Sequence, residues 1–186
     1  IVDVNEDVFA IADVGGNTIM IFQKSGLKGE IETTLPIEKI SVSNQGIVSA
    51  ILKNESTPQI ISYDAVGNIL VEHQVNLNST GYPISLDMSA DGENLMVSYL
   101  STKNGTLKSM VAFYNFGKEG QEKTDNLIYT EDFEQTVVPD VFYMDASTSV
   151  AVGDKSFVIY EGTKSVKKKT EVKLNQEIRS EFHSER

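Results

Sequence analysis

The chain predicts an all-β fold, a β-propeller built from four-stranded antiparallel blades, and three observations predict it. Short runs of apolar and polar residues alternate with period two along almost the whole length. Turn residues (Gly, Asn, Asp, Ser, Pro) punctuate those runs. Hairpins of one kind return at about 40 to 50 residues, the period of four-stranded blades stacked around an axis. No segment sustains the 3.6-residue apolar period of an amphipathic helix.

The clearest unit runs from Tyr82 to Leu100. Ile84, Leu86 and Met88 alternate with Ser85, Asp87 and Ser89; Ala90-Asp91-Gly92-Glu93 turns the chain; Leu95, Val97 and Tyr99 alternate on the return. An Asp-Gly between two such runs is a strong short-range hairpin signal. Upstream, Ile1 to Val4 reads as the end of an innermost strand, Val8 to Asp13 as the next, Thr18 to Phe22 as a third and Glu30 to Leu35 as a fourth. A second set follows Pro36, with strands at Ile37 to Val42, Ile47 to Lys53, Gln59 to Asp64 and Ile69 to Val75. The third set holds Tyr82 to Met88, Asn94 to Ser101, Thr106 to Phe116 and Asn126 to Glu131, with a polar loop at Gly117 to Asp125. The fourth, after Pro139, holds Val141 to Met144, Ser149 to Gly153, Phe157 to Tyr160 and Val166 to Leu174. The blades thus fall at about 1–35, 36–78, 79–135 and 136–176. The tail 177–186 reads as a strand over Ile178 to Phe182 that starts a further blade.

Equivalent inner turns lie near Asn5, Asn44, Asp91, Ser147 and Ser184, about 39, 47, 56 and 37 residues apart. Two architectures fit: a closed four-bladed ring whose tail pairs with the first blade, or an arc of a larger ring. Ile1 to Val4 and the tail compete for the same innermost place, which favours the arc. Outer strands are edges, and charged side chains keep edges from pairing with other chains. Lys167, Lys168, Lys169 and Lys173 serve the last one; Glu30, Glu32 and Glu72 serve others.

Composition narrows the function. At 40% hydrophobic and 23% charged, the chain is globular. No apolar run approaches the roughly 20 residues of a membrane-spanning helix. The formal charge of −11 repels phosphate backbones and anionic lipid, so nucleic acid is not an expected partner. With no cysteine there is no disulfide and no thiolate nucleophile or ligand.

No residue set reaches a catalytic, cofactor-binding or metal-ligating signature, so none is assigned. Asp87-Met88-Ser89-Ala90-Asp91-Gly92 opens like a calcium loop, but Leu95 and Ser98 stand where its later carboxylates belong, leaving a hairpin. His73 lies between Glu72 and Gln74 and reads as a solvated side chain on an outer strand; His183 is far away in sequence, so the two make no metal pair. Glu131, Asp132 and Glu134 read as a solvated loop before Pro139, with a cleft lining as the alternative. Gly15-Gly16 and Gly117 to Gly120 precede no helix that would cradle phosphate. Asn54, Asn78 and Asn104 satisfy the N-glycosylation pattern within turns.

Two stretches carry a resemblance. Ser85 to Val97 (SLDMSADGENLMV) resembles the D-x-S-x-D-G-x-x-L-x-V hairpin of WD-repeat-like and TolB-like propellers; Tyr63 to Leu70 (YDAVGNIL) is similar to the Y-D-x-x-G-x-x-L turn of quinoprotein-like blades. In overall run the chain resembles an uncharacterised Gram-positive family of membrane-anchored propellers of unknown function (DUF5711-like). That resemblance implies an upstream membrane helix and a place on the extracytoplasmic face of the membrane; the blade repeat without a catalytic constellation points to another protein or a cell-envelope component as partner. There is no tryptophan, whereas WD repeats are named for one and quinoproteins use it beside their cofactor. The function expected is therefore a non-enzymatic binding or scaffold module. The alternative is a hydrolase, lyase or small-molecule sensor with its site at the channel mouth.

Overall fold

The structure, a computed structural model, describes residues 1–103 and 105–178. Four antiparallel four-stranded sheets are arranged as the blades of a β-propeller. Blade one comprises β1 (Val2–Asn5), β2 (Val8–Ala12), β3 (Thr18–Gln23) and β4 (Gly26–Glu32). Blade two comprises β5 (Ile37–Val42), β6 (Val48–Leu52), β7 (Gln59–Tyr63) and β8 (Ile69–Gln74). Blade three comprises β9 (Tyr82–Met88), β10 (Asn94–Lys103), β11 (Thr106–Asn115) and β12 (Leu127–Glu134). Blade four comprises β13 (Asp140–Tyr143), β14 (Thr148–Val152), β15 (Ser156–Glu161) and β16 (Lys167–Lys173). Within each sheet the strands pair in chain order, and β1, β5, β9 and β13 are the innermost.

The apolar cores lie between sheets. Ile19, Ile21 and Ile31 of blade one meet Ile37, Ala50 and Leu52 of blade two. Ile51, Ile60 and Val75 on the other face of blade two meet Leu86, Leu95 and Val97 of blade three. Met96, Val111 and Phe113 then meet Val141, Ala151 and Tyr160 of blade four. Successive residues of a strand point to opposite faces, so a middle blade dries both. All five residues of β6 are buried, and four of them are apolar, as a strand dried on both faces requires.

The outward face of blade one has no such cover among the described residues. Cross-strand ladders Val2–Ile11–Met20 and Val4–Phe9–Phe22–Leu27 run across it, with Phe9 and Phe22 stacked at 5.1 Å. Val2 is 62% and Leu27 57% exposed. Among the described residues no core cluster joins blade four to blade one.

Asp91-Gly92 sits at the β9–β10 bend, as the alternation predicts. Gly92 has φ +73°, and a Cβ there would come within 2.9 Å of Ile47 Cδ1 on blade two. Backbone conformation and close approach both select glycine.

Several boundaries differ from expectation. Strand β4 begins at Gly26 rather than Glu30, because Gly26 at φ +113° closes a tight hairpin that the polar residues concealed. Thr33 is instead buried in a side-chain exchange with Asn17. The expected loop at Gly117 to Asp125 contains one helical turn (Lys118–Gln121) and a 3-10 turn (Thr124–Asn126). Glu131, Asp132 and Glu134 belong to β12, not to a loop, since the ladder with β11 continues to Lys108 and Glu134. The tail strand and Asn104 lie outside the described residues; Ile178 donates its N–H to the Asp154 carbonyl at 2.7 Å.

Candidate functional site

Two places gather polar side chains, and the first is the axis. Innermost strands leave alternate N–H groups pointing away from their own sheet, and each needs an acceptor. One residue per blade supplies it to the next blade. Asp3 Oδ2 accepts the N–H of Val42. Ser41 Oγ accepts that of Met88 at 3.0 Å. Asp87 Oδ2 accepts that of Tyr143 at 2.6 Å. Ser41 closes the belt by donating its hydroxyl to Asp87 Oδ1 at 2.8 Å. Removal from water pushes the Asp87 carboxyl up to about 7, neighbouring Asp3 adds to this, and the hydrogen bonds it accepts oppose it.

Two residues before Ser41 and Asp87 stand Lys39 and Ser85, which with Asp140 form a second polar layer. Ser85 Oγ donates to Asp140 Oδ1 at 2.7 Å, and Lys39 Nζ reaches Ser85 Oγ at 3.1 Å and Asp140 Oδ1 at 3.4 Å. Lys39, Ser85 and Asp140 come from blades two, three and four, so this layer also fastens neighbours.

The second place is a cleft of about 670 Å³ on the rim between blades two and three. It continues their shared core outward: Val75, Tyr99, Met110 and Tyr114 line it deeply, and Asp125, Leu127 and Thr130 stand nearer solvent. Tyr99 and Tyr114 share a buried hydroxyl–hydroxyl hydrogen bond of 2.7 Å. His73 packs on Tyr114 with ring centroids 4.9 Å apart, and its Nε2 is buried without a hydrogen-bond partner. Burial holds the imidazole below its ordinary value, while the Asp125 carboxylate pulls the other way. Asp125 (φ 55°) and Asn126 (φ 60°) are consecutive left-handed residues that turn the loop over the cleft.

The solvated reading of His73 is thus corrected. Pleating alone decides it: Glu72 and Gln74 are exposed, while His73 shares its face with buried Val75. The missed signal was period two itself, outweighed by polar neighbours. The calcium-like stretch is spent elsewhere: Asp87 serves blade four, and Asp91 Oδ1 caps its own turn, accepting from Ser89 Oγ at 2.6 Å and Glu93 N–H at 3.0 Å. The triple lysine lies on β16, all seven of whose residues are exposed. Lys168 there contacts Glu131 and Glu171, both at 2.8 Å. Asn54 Oδ1 likewise caps a turn, accepting the Ser56 and Thr57 N–H groups. Among the described residues no group of three or more His, Asp and Glu side chains is placed to hold a metal ion, and no helix is long and apolar enough to cross a membrane.

The sheets and the axial belt define a β-propeller. Solved structures agree on that fold. The chain is similar to Hsv2 of Kluyveromyces marxianus (TM-score 0.59, 12% identity, covering 91% of this chain and 59% of that one). It is similar to Kluyveromyces lactis Hsv2 (0.57, 11%, 93% and 61%) and to an acylaminoacyl peptidase of Pyrococcus horikoshii (0.58, 13%, 96% and 32%). The chain therefore spans about three-fifths of the Hsv2 chains. At such identities the likeness concerns fold alone. No curated protein matches. Over residues 1–186 the chain matches the family of unknown function DUF5711, and it belongs to that family.

Proposed function

We propose that the chain is a non-enzymatic binding and scaffold module, presenting blade faces and clefts to another protein or a cell-envelope component. Its place is the extracytoplasmic face of the membrane, held there by an anchor in the longer protein. The observation that carries the non-enzymatic reading is the use made of the axial side chains. A general acid or base must exchange a proton with substrate, and a nucleophile must have a base beside it. Asp3, Ser41 and Asp87 are instead committed to backbone amides of the next blade, and Lys39, Ser85 and Asp140 to one another. Binding surface is what remains.

The apolar outward face of blade one fits a further blade of the same ring, packed as blades one to three pack on their successors. The 59% coverage of the Hsv2 propeller leaves room for such blades. The location and anchor rest on family resemblance. The peptidase likeness lends the hydrolase alternative only a shared fold.

The test is a panel of chromogenic peptidase, esterase and glycosidase substrates offered to the purified full-length protein, beside D3N and D87N variants. The reading expects no turnover by any of the three. Turnover that D87N abolishes while the variant keeps its circular dichroism spectrum would overturn it. Protease shaving of intact cells tests location: loss of the propeller supports the outer face, and protection until lysis contradicts it.

A further inference from the structure

We propose that the rim cleft between blades two and three binds an aliphatic ammonium group, its alkyl stem against the apolar walls and its head between His73 and Asp125. The proposal rests on the reading of the chain as a binding module. Four features of the cleft carry it. Its size, about 670 Å³, is that of small-ligand sites. Tyr99, Tyr114, Met110 and Leu127 give it walls that suit a methylene chain. His73 Nε2 is buried there with no partner, and a buried polar atom left unpaired is costly unless something comes to meet it. Asp125 stands at the mouth in no ion pair among the described residues, and no lysine or arginine lines the cleft.

The polar atoms match an ammonium better than an anion or a neutral polyol. Burial keeps the imidazole neutral near pH 7, so it can accept a hydrogen bond at Nε2 without repelling a cation. The Asp125 carboxylate influences both His73 and Tyr114, so its charge is felt where the head would sit. Aromatic walls add cation–π attraction. Glu72 also lines the cleft, a second carboxylate that favours a cation, although it alternates with His73 along β8 and acts on Tyr63 as well. A phosphate or carboxylate ligand would meet Asp125 with like charge and find no cation.

Such a group could come from a free amine or from a lysine side chain, so the experiment has an arm for each. The histidine ring signals of the purified protein are followed by NMR, assigned with H73Q, during titration with 1,5-diaminopentane, 1,5-pentanediol or Nα-acetyl-lysine amide. The proposal expects a saturable shift of the His73 ring with both amines and none with the diol. Tighter binding of the diamine marks a free amine as the source, and tighter binding of the lysine derivative marks a protein side chain. D125N should weaken the amines by about two- to fivefold, the factor an exposed ion pair contributes. Asn is at ease at φ 55°, so this variant keeps its loop. No saturation by either amine, equal saturation by the diol, or amine binding untouched in D125N would each overturn the proposal. Turnover of the amine would overturn the non-enzymatic reading instead and leave the binding site standing.

Discussion

Asp87 and Tyr143 lie 56 residues apart, on β9 and β13, and the Asp87 carboxylate accepts the Tyr143 N–H at 2.6 Å across the blade boundary. This bond ties two sheets without a shared ladder. It also places a carboxylate in a dry setting beside Asp3, where its proton is held up to about 7. In the unfolded chain an aspartate releases its proton near about pH 3.9. The folded state therefore binds the proton more tightly. The stability this group contributes is full below about pH 4 and is lost as pH rises through about 7. Thermal melts from pH 4 to 8 should show D87N losing less Tm over that rise than wild type, by about 8–16 °C for a chain of this size. Parallel curves would contradict the assignment.

His73 carries the opposite sign. Its folded proton affinity is lowered by burial, so its neutral form stabilises the fold above about pH 6.5, and that stability is lost on acidification. NMR titration of the ring should give a midpoint below the ordinary histidine value. D125N should move it lower still, because Asp125 is the group that raises it. A midpoint at or above the ordinary value would show His73 to be solvated.

Tyr99 and Tyr114 exchange one buried hydroxyl hydrogen bond. Y99F or Y114F alone strands the partner's hydroxyl and should cost about 1–3 kcal/mol in urea melts. The double variant removes both groups, so its loss should fall short of the sum of the singles. Strict additivity would mean the two hydroxyls do not depend on each other.

Gly29 lies on β4 with the Ala65 carbonyl of blade two so close that a Cβ would come within 1.7 Å. The contact is backbone, which no rotamer change relieves. G29A should lose about 1–3 kcal/mol by forcing blades one and two apart. A variant as stable as wild type would show that this boundary is loose.

Much of the architecture was legible because alternation and turn chemistry are local. Asp91-Gly92 announces its bend, and the recurrence of that bend announces four sheets. Boundaries failed where local chemistry misled: Glu131 to Glu134 are acidic enough to read as loop, yet the β11 ladder extends to them. The belt of Asp3, Ser41 and Asp87 was hidden for another reason. Each stands at the same place in its repeat, but only the distance between blades shows that its acceptor meets a neighbouring amide. The cleft is intermediate: the face of His73 follows from Val75 two residues on, whereas its meeting with Tyr114 and Asp125 depends on how the third blade's 3-10 turn folds back.

The most direct test of blades fastened by side chain to backbone is amide hydrogen exchange at Val42, Met88 and Tyr143, measured by NMR in wild type, D3A, S41A and D87A. Each variant should speed exchange at its own target (Val42 for D3A, Met88 for S41A, Tyr143 for D87A), by about tenfold or more at the two carboxylate positions. Core amides such as that of Val97 should stay slow in all three. Exchange at Tyr143 as slow in D87A as in wild type would contradict the account.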